Sequence, residues 1–191
     1  MQYISKEEQH TTEWSGGTTT ELYLYPPDGS YKERKFLVRL STAICRDENS
    51  VFTKLPDTQR ILMVLDGEIS LSHGDGKWEG LKPGEQISFS GEENTISKGT
   101  CQDFNLMLKE GATGNLVYVS VMAGEKHKIF SDADNLGIYL VRGNVIVFDG
   151  EEHQEMQSED FLLLGTEKGE TVVTAIESSI FVVAKIYLNI K

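Results

Sequence analysis

The chain has 191 residues, a net charge of −12 at pH 7, and an ordinary balance of 39% hydrophobic and 25% charged residues. The excess of acidic groups repels phosphate backbones and anionic headgroups, which argues against nucleic acid and membranes as partners. Its apolar runs are strand-sized, far shorter than the roughly 18–20 residues that span a bilayer. No signal-peptide pattern opens the sequence, and two cysteines are too few for a disulfide framework, so we expect a cytoplasmic protein.

Alternation of apolar and polar residues predicts an all-β chain. A single helical turn is predicted at residues 6–13. The predicted strands, in chain order, cover residues 36–44, 60–65, 68–72, 86–90, 103–108, 116–122, 136–142, 145–148, 160–164, 171–175 and 179–188. Turn signals such as Asp66-Gly67 and Asp149-Gly150 separate them. Many short strands at this spacing indicate a sandwich or a barrel.

Three segments recur along the chain at nearly one offset. Residues 65–71 align with 141–147 at an offset of 76, residues 81–89 with 156–164 at 75, and residues 104–109 with 181–186 at 77. This order predicts duplication of a β unit. Apolar runs separated by a glycine turn and by a Pro-Gly-Glu turn, here Pro83-Gly84-Glu85, are typical of a cupin jelly roll. We therefore predict two cupin-like β-barrel (jelly-roll) repeats packed as a bicupin. Residues 1–110 would carry the ligand site, and residues 111–191 would form a degenerate repeat.

The histidines do not form a metal-binding pattern. The chain has four, His10, His73, His127 and His153, and none belongs to the H-x-H pair that supplies two ligands in metal-binding cupins. The stretch that would hold that pair, residues 52–66, contains no histidine. We therefore expect no bound metal and no cofactor.

This expectation can be checked by elemental analysis. The purified protein should contain no stoichiometric transition metal, and a chelator should leave its melting temperature unchanged. About one iron, zinc or manganese per chain would contradict the expectation.

Nucleophilic catalysis also finds little support in the sequence. Cys45 and Cys101 have no histidine close by in sequence, and a small buried hydrophobe is the simpler interpretation of each. The segment Ser15-Gly16-Gly17 lacks the length and the lysine of a phosphate-binding loop.

Two arginines stand inside otherwise apolar strands. Arg39 alternates with Ser41 and Ala43 on one face of its strand, and Arg60 opens a second apolar run. Each guanidinium could reach water or pair with an internal carboxylate such as Glu21, Asp57 or Asp103. Two guanidinium groups directed into one half-buried cavity, however, repel each other and need acceptors. A carboxylate ligand held bidentately would satisfy one of them.

Two further segments add polar groups. Residues 14–21 join Trp14, the close-approach residue Gly17 and a run of hydroxyls that includes Thr18. Asp103 and Asn105 share one face of a strand whose other face is apolar. A solvated loop and an outward-facing strand are the structural alternatives. The functional interpretation places these side chains in a ligand site.

Six segments in this order resemble the HutD/Ves family, whose motifs have the form W-x-x-G-G-x-T-x-E, R-x-S-x-A, F-S-x-F-P-x-x-x-R, L-x-G, F-x-G and D-F-N-x-M. Here they run from Trp14 to Glu21, Arg39 to Ala43, Phe52 to Arg60, Leu65 to Gly67, Phe89 to Gly91, and Asp103 to Met107. This chain departs from the pattern at Thr53 and Leu55 and is one residue shorter after Trp14. The resemblance implies a bicupin without metal ligands and an association with histidine utilisation or stress response. It also implies binding of a small carboxylate such as formate, a formylated amino acid or a pathway intermediate.

Three functions are compatible with these residues. The first is a non-enzymatic binder or sensor of a small carboxylate, with a site formed by Arg39, Arg60, Asn105, Gly17, Trp14, Thr18, Ser41 and Asp103. The second is a metal-independent isomerase or hydrolase acting on a small acid, which a carboxylate with a perturbed pKa beside the arginines would favour. The third is an interaction or stress protein with a merely structural cavity. A homodimer is expected because cupins often dimerise through their sheet faces.

Overall fold

The computed structural model describes residues 1–165 and 169–189. The described chain is all-β, as predicted, and forms nineteen strands with one short 3-10 turn, η1 (Lys6–Glu8). The strands are β1 (Gln2–Ile4), β2 (His10–Trp14), β3 (Gly17–Tyr25), β4 (Val38–Cys45), β5 (Asn49–Val51), β6 (Thr58–Gly67), β7 (Ile69–Ser72), β8 (Glu79–Leu81), β9 (Gln86–Ser90), β10 (Ile96–Lys98), β11 (Cys101–Lys109), β12 (Ala112–Val121), β13 (Lys126–Ser131), β14 (Asn135–Arg142), β15 (Asn144–Asp149), β16 (Glu152–Gln157), β17 (Phe161–Leu164), β18 (Gly169–Ala175) and β19 (Ser179–Leu188). Within the described ranges, no helix has the length and apolarity needed to cross a membrane.

The predicted helical turn at 6–13 is wrong beyond Glu8. Residues His10–Trp14 form strand β2, which pairs with β3 in antiparallel register, Thr11 opposite Thr20 and Thr12 opposite Thr19. Threonine is β-branched and favours strands, so tertiary pairing and residue preference agree here.

The N-terminal unit spans His10–Ala112 and contains two sheets. A six-stranded sheet has the order β2-β3-β4-β11-β6-β9, and a four-stranded sheet has the order β5-β10-β7-β8. An apolar cluster joins Leu62, Val64 and Phe89 of the larger sheet to Leu71 and Leu81 of the smaller one. The core therefore occupies the inner faces of both sheets.

The C-terminal unit combines Met1–Gln9 with the chain from Thr113 onward. Its sheets have the orders β1-β17-β14-β19-β12 and β13-β18-β15-β16. The unit differs from the predicted division at 110/111 because the first nine residues belong to it. Strand β1 pairs with β17, and the buried carboxylate of Asp160 accepts hydrogen bonds from the Tyr3 hydroxyl at 2.7 Å and the Lys6 amide at 3.0 Å.

Each unit contains the same succession of paired strands. In the N-terminal unit the orders β4-β11-β6-β9 and β5-β10-β7-β8 occur, and the C-terminal unit repeats them as β12-β19-β14-β17 and β13-β18-β15-β16. Duplication of one β unit stays a prediction, and this shared topology supports it.

Candidate functional site

The candidate site lies on the inner face of the six-stranded sheet in the N-terminal unit. Strand β11 is central, with β4 on one side and β6 on the other. Met107 is the register partner of both Arg39 and Arg60, and Asn105 pairs with Ser41. Because side chains alternate along a strand, these rows direct both arginines and the polar groups of β11 to one face.

This face borders a cavity of about 760 Å³. Six of the eight residues predicted from sequence line it: Trp14, Arg39, Ser41, Arg60, Asp103 and Asn105. Other side chains that line it include His10, Thr12, Thr19, Glu21, Tyr31, Cys45 and Phe52. The cavity is large enough for a small metabolite.

Arg39 is held by partners within the protein. It is 5% exposed, and its Nε donates to a carboxylate oxygen of Glu21 at 2.8 Å. Its Nη1 donates to Ser41 Oγ at 3.0 Å, and the guanidinium carbon lies 4.0 Å from the Tyr31 ring centroid. The pairing with an internal carboxylate, one of the two alternatives left open by the sequence, therefore applies to this arginine.

Arg60 is bound differently. It is 5% exposed, and its guanidinium carbon lies 4.9 Å from the ring centroid of Phe52 and 5.2 Å from that of Phe89. Its buried Nε has no hydrogen-bond partner within the described parts of the chain. Burial lowers the pKa of Arg60 to about 10, partly opposed by the nearby charge of Asp103. At neutral pH the side chain is therefore a buried cation with a free donor.

Asp103 is a second strongly perturbed ionisable group of this site. It is 3% exposed, and burial raises its pKa to about 7, against the attraction of Arg60 and a hydrogen bond from Cys45. The Cys45 thiol donates to Asp103 Oδ2 at 3.8 Å. Interaction with Cys45 and burial raise the pKa of Cys101. Near neutral pH the carboxyl group therefore exchanges between neutral and charged forms.

Asn105 contributes an unused acceptor to the same face. The residue is 5% exposed, and its side-chain Oδ1 is buried without a hydrogen-bond partner among residues 1–165 and 169–189. A buried amide oxygen without a donor costs free energy comparable to a lost hydrogen bond, on the order of 1–3 kcal/mol. The site thus presents a free charged donor on Arg60 and a free acceptor on Asn105, together with the unpartnered hydroxyl of Ser50.

The predicted roles of Gly17 and Thr18 differ from what the structure shows. A Cβ atom at Gly17 would overlap the carbonyl oxygen of Ile44, so the glycine permits the close approach of β3 to β4 rather than the approach of a ligand. Thr18 pairs with Ile44 in the register, which places it on the face opposite the cavity. Its neighbour Thr19 lines the cavity and accepts a hydrogen bond from Trp14 Nε1 at 3.1 Å.

Sequence reasoning missed three aromatic or thiol groups at the site. Tyr31 lies between β3 and β4 and covers Arg39, yet its surrounding turn residues carry no pattern that predicts this contact. Phe52 belongs to a family motif, which was a usable signal. Cys45 shares the strand face of Arg39 and Ser41 and continues their alternation by two residues.

The paired sheets, the cavity between their inner faces and its buried arginines define an all-β protein of the cupin fold. A pirin, YhhW from Escherichia coli in complex with nickel(II), has a similar structure, with a TM-score of 0.71, 11% identity and 99% of each chain covered. At this identity the likeness shows the fold alone.

The family follows from the sequence itself. The family model for HutD matches residues 6–182, and the chain belongs to the HutD family. Two similar structures are the conserved protein PA5104 from Pseudomonas aeruginosa PAO1 and HutD from Pseudomonas fluorescens SBW25. The first has a TM-score of 0.84 and 21% identity and covers 97% of this chain and 98% of its own. The second has a TM-score of 0.78 and 20% identity and covers 98% of both. No curated protein matches the sequence significantly.

Proposed function

We propose that the cavity of the N-terminal unit binds one small carboxylate, and that the protein is a non-enzymatic binder or sensor linked to histidine utilisation or stress response. The observation that carries this proposal is the free Nε donor of Arg60, a cation buried to 95% in the wall of a cavity of about 760 Å³. A buried guanidinium requires an anionic acceptor, and a carboxylate fits its geometry.

Charge balance in the cavity supports an anionic ligand. Glu21 neutralises Arg39 through a hydrogen-bonded ion pair, which leaves Arg60 with the nearby charge of Asp103. Since burial raises the pKa of Asp103 to about 7, this carboxyl group neutralises Arg60 only in part at neutral pH. A bound carboxylate would supply the missing negative charge.

The unused acceptor of Asn105 narrows the ligand class. Its Oδ1 requires a donor, and an amide N–H or an ammonium group can supply one. A ligand with both a carboxylate and an N–H group, such as a formylated amino acid, would satisfy Arg60 and Asn105 together. Formate is the smallest acid to test. The Pseudomonas fluorescens HutD structure was obtained in a formate condition, and a similar oxalate decarboxylase structure from Lactobacillus farciminis is a formate complex.

Calorimetric titration with formate, formylglutamate, urocanate and glutamate tests this function. We expect one ligand per chain, because the C-terminal unit contains only Arg142 and offers no arginine pair. Formylglutamate should bind more tightly than formate, since it can reach the free polar atoms of both Arg60 and Asn105. Absence of heat for all four acids at millimolar concentration would refute the proposal and favour a purely structural cavity.

Binding should depend on pH through Asp103. Its pKa of about 7 lies above the ordinary 3.8, so the group becomes neutral as the pH falls from 8 to 6. Loss of the negative charge beside Arg60 should then strengthen carboxylate binding. Asp103→Asn should hold the affinity at the low-pH level at every pH. Equal pH dependence in the wild type and in this variant would contradict the assignment.

A metal-independent enzyme is the second candidate, and Asp103 is the observation that favours it. A carboxyl group with a pKa near 7 beside an arginine is suited to transfer a proton at neutral pH. Incubation of each acid with the protein, followed by NMR of the acid, separates the two functions. An unchanged spectrum supports a binder, whereas a product that Asp103→Asn no longer forms would establish the enzyme.

We propose in addition that the protein is cytoplasmic and that it pairs as a homodimer.

A further inference from the structure

Two cysteines face each other across adjacent strands at one end of the cavity. Cys45 ends β4, Cys101 begins β11, and the two are direct register partners. Directly opposed residues in an antiparallel pair have Cα atoms about 4.5–5.5 Å apart, which lies within the range of about 4.4–6.8 Å found for disulfides. Their sulfur atoms lie within 4.8 Å of each other. The backbone is therefore already arranged for a bond between them.

The two thiols differ in access. Cys101 is 6% exposed and belongs to the apolar cluster, whereas Cys45 is half-buried and lines the cavity. A reagent that enters the cavity would therefore meet Cys45 first. The carboxylate of Asp103, which already accepts the hydrogen bond of this thiol at 3.8 Å, is positioned to take its proton.

We propose that Cys45 and Cys101 form a redox-active pair that a low-molecular-weight disulfide converts into an intramolecular disulfide bond. Cys45 attacks one sulfur of the reagent, forms a mixed disulfide and releases one small thiol. Cys101 then attacks the Cys45 sulfur and releases the second small thiol. The protein loses two electrons and two protons, and the reagent gains them. Cys45 is the attacking thiol and Cys101 the resolving thiol.

Oxidation would also alter the cavity, a consequence that rests on the proposed carboxylate function. A disulfide removes the thiol hydrogen that Cys45 donates to Asp103. That hydrogen bond favours the charged carboxylate, so its loss favours the neutral form and leaves Arg60 less well neutralised. The oxidised protein should consequently bind a carboxylate more tightly than the reduced protein at pH 8.

The test is incubation of the reduced, folded chain in oxidised glutathione, followed by acid quenching, mass spectrometry and peptide mapping. The wild type should lose two hydrogen atoms in mass and yield a linked peptide that contains both cysteines. Cys101→Ser should accumulate a glutathione adduct at Cys45, because no resolving thiol is present. Cys45→Ser should react at least about tenfold more slowly than Cys101→Ser, since Cys101 is buried.

Three outcomes would overturn the pair. The first is that both thiols of the wild type stay free under conditions in which Cys101→Ser acquires a glutathione adduct. The second is a stable glutathione adduct in the wild type, and the third is an equal reaction rate for the two single variants. Cys45, Cys101 and Asp103 could also serve together as ligands, so zinc is added in parallel. If the wild type never forms the disulfide and added zinc protects both of its thiols from glutathione, the three residues form a metal site instead. If the disulfide forms but the protein binds none of the four carboxylates, the redox proposal stands and only the proposed function is refuted.

Discussion

Replacement of Arg60 by methionine should weaken binding of the small carboxylate by about tenfold to a hundredfold. Charge-assisted hydrogen bonds in a partly dry site contribute about 1.5–3 kcal/mol each, and about 1.4 kcal/mol corresponds to a tenfold change in affinity. Arg60 supplies a charged Nε donor that has no partner in the described structure, and the other unpartnered donor of the cavity wall, the Ser50 hydroxyl, carries no charge. Titration of the best-binding acid into the wild type and the variant measures the loss.

Replacement of Arg39 should weaken binding less than replacement of Arg60, because Glu21 and Ser41 already hold its guanidinium, and the kind of substitution is informative. Arg39 spans Glu21 and Ser41 with two separate nitrogens, and a lysine ammonium cannot reproduce that fork. Arg39→Lys should therefore weaken binding almost as much as Arg39→Met. Arg142→Met is the matched control, because this exposed arginine lies in the C-terminal unit. If the wild type, Arg60→Met and Arg39→Met bind the acid with equal affinity, the ligand site lies elsewhere.

Gly17→Ala should destabilise the fold by about 1–3 kcal/mol, the usual cost of an added methyl group in a packed position. The added Cβ would overlap the carbonyl oxygen of Ile44, so β3 and β4 must separate at their paired ends. Since Gly17 does not line the cavity, the free energy of carboxylate binding should change less than the free energy of unfolding. Urea unfolding monitored by tryptophan fluorescence, together with titration of the folded variant, measures both quantities.

Gly80→Ala is the control for that experiment. Gly80 also lies in a strand of the N-terminal unit, and an added Cβ would make only an ordinary contact of 3.8 Å with Ser70 Oγ. Its free energy of unfolding should change by less than about 0.5 kcal/mol. A stable Gly17→Ala variant that has lost carboxylate affinity would restore the original interpretation, in which this glycine admits the ligand.

Strand periodicity was sufficient to predict one face of the site. Arg39 and Ser41 share the inner face of β4, and Asp103 and Asn105 share that of β11, because both strands keep their alternation over this stretch. A period of two fixes which side chains lie together once a strand is recognised. Periodicity within single strands does not show that Arg39 and Arg60, which lie on different strands, face one cavity, nor which of them is paired internally.

The assignments that differ from the structure depend on irregularities that carry no sequence signal. The register of β3 against β4 shifts between Glu21 and Tyr23, so Leu24 joins Glu21 on the cavity side despite their odd spacing. The role of Gly17 depends on the distance between two backbones, which residue type alone does not reveal. The charge state of Asp103 likewise follows from burial and from neighbours distant in sequence.

The central claim is that Arg60 holds a carboxylate through its free Nε–H group. NMR of the arginine Nε–H resonances during titration with formylglutamate tests this claim directly. The Arg60 resonance, assigned by its absence in Arg60→Met, should shift in a saturable manner with the affinity found by calorimetry. A resonance that stays in place while the acid binds, or a protein that binds none of the four acids, would contradict the claim.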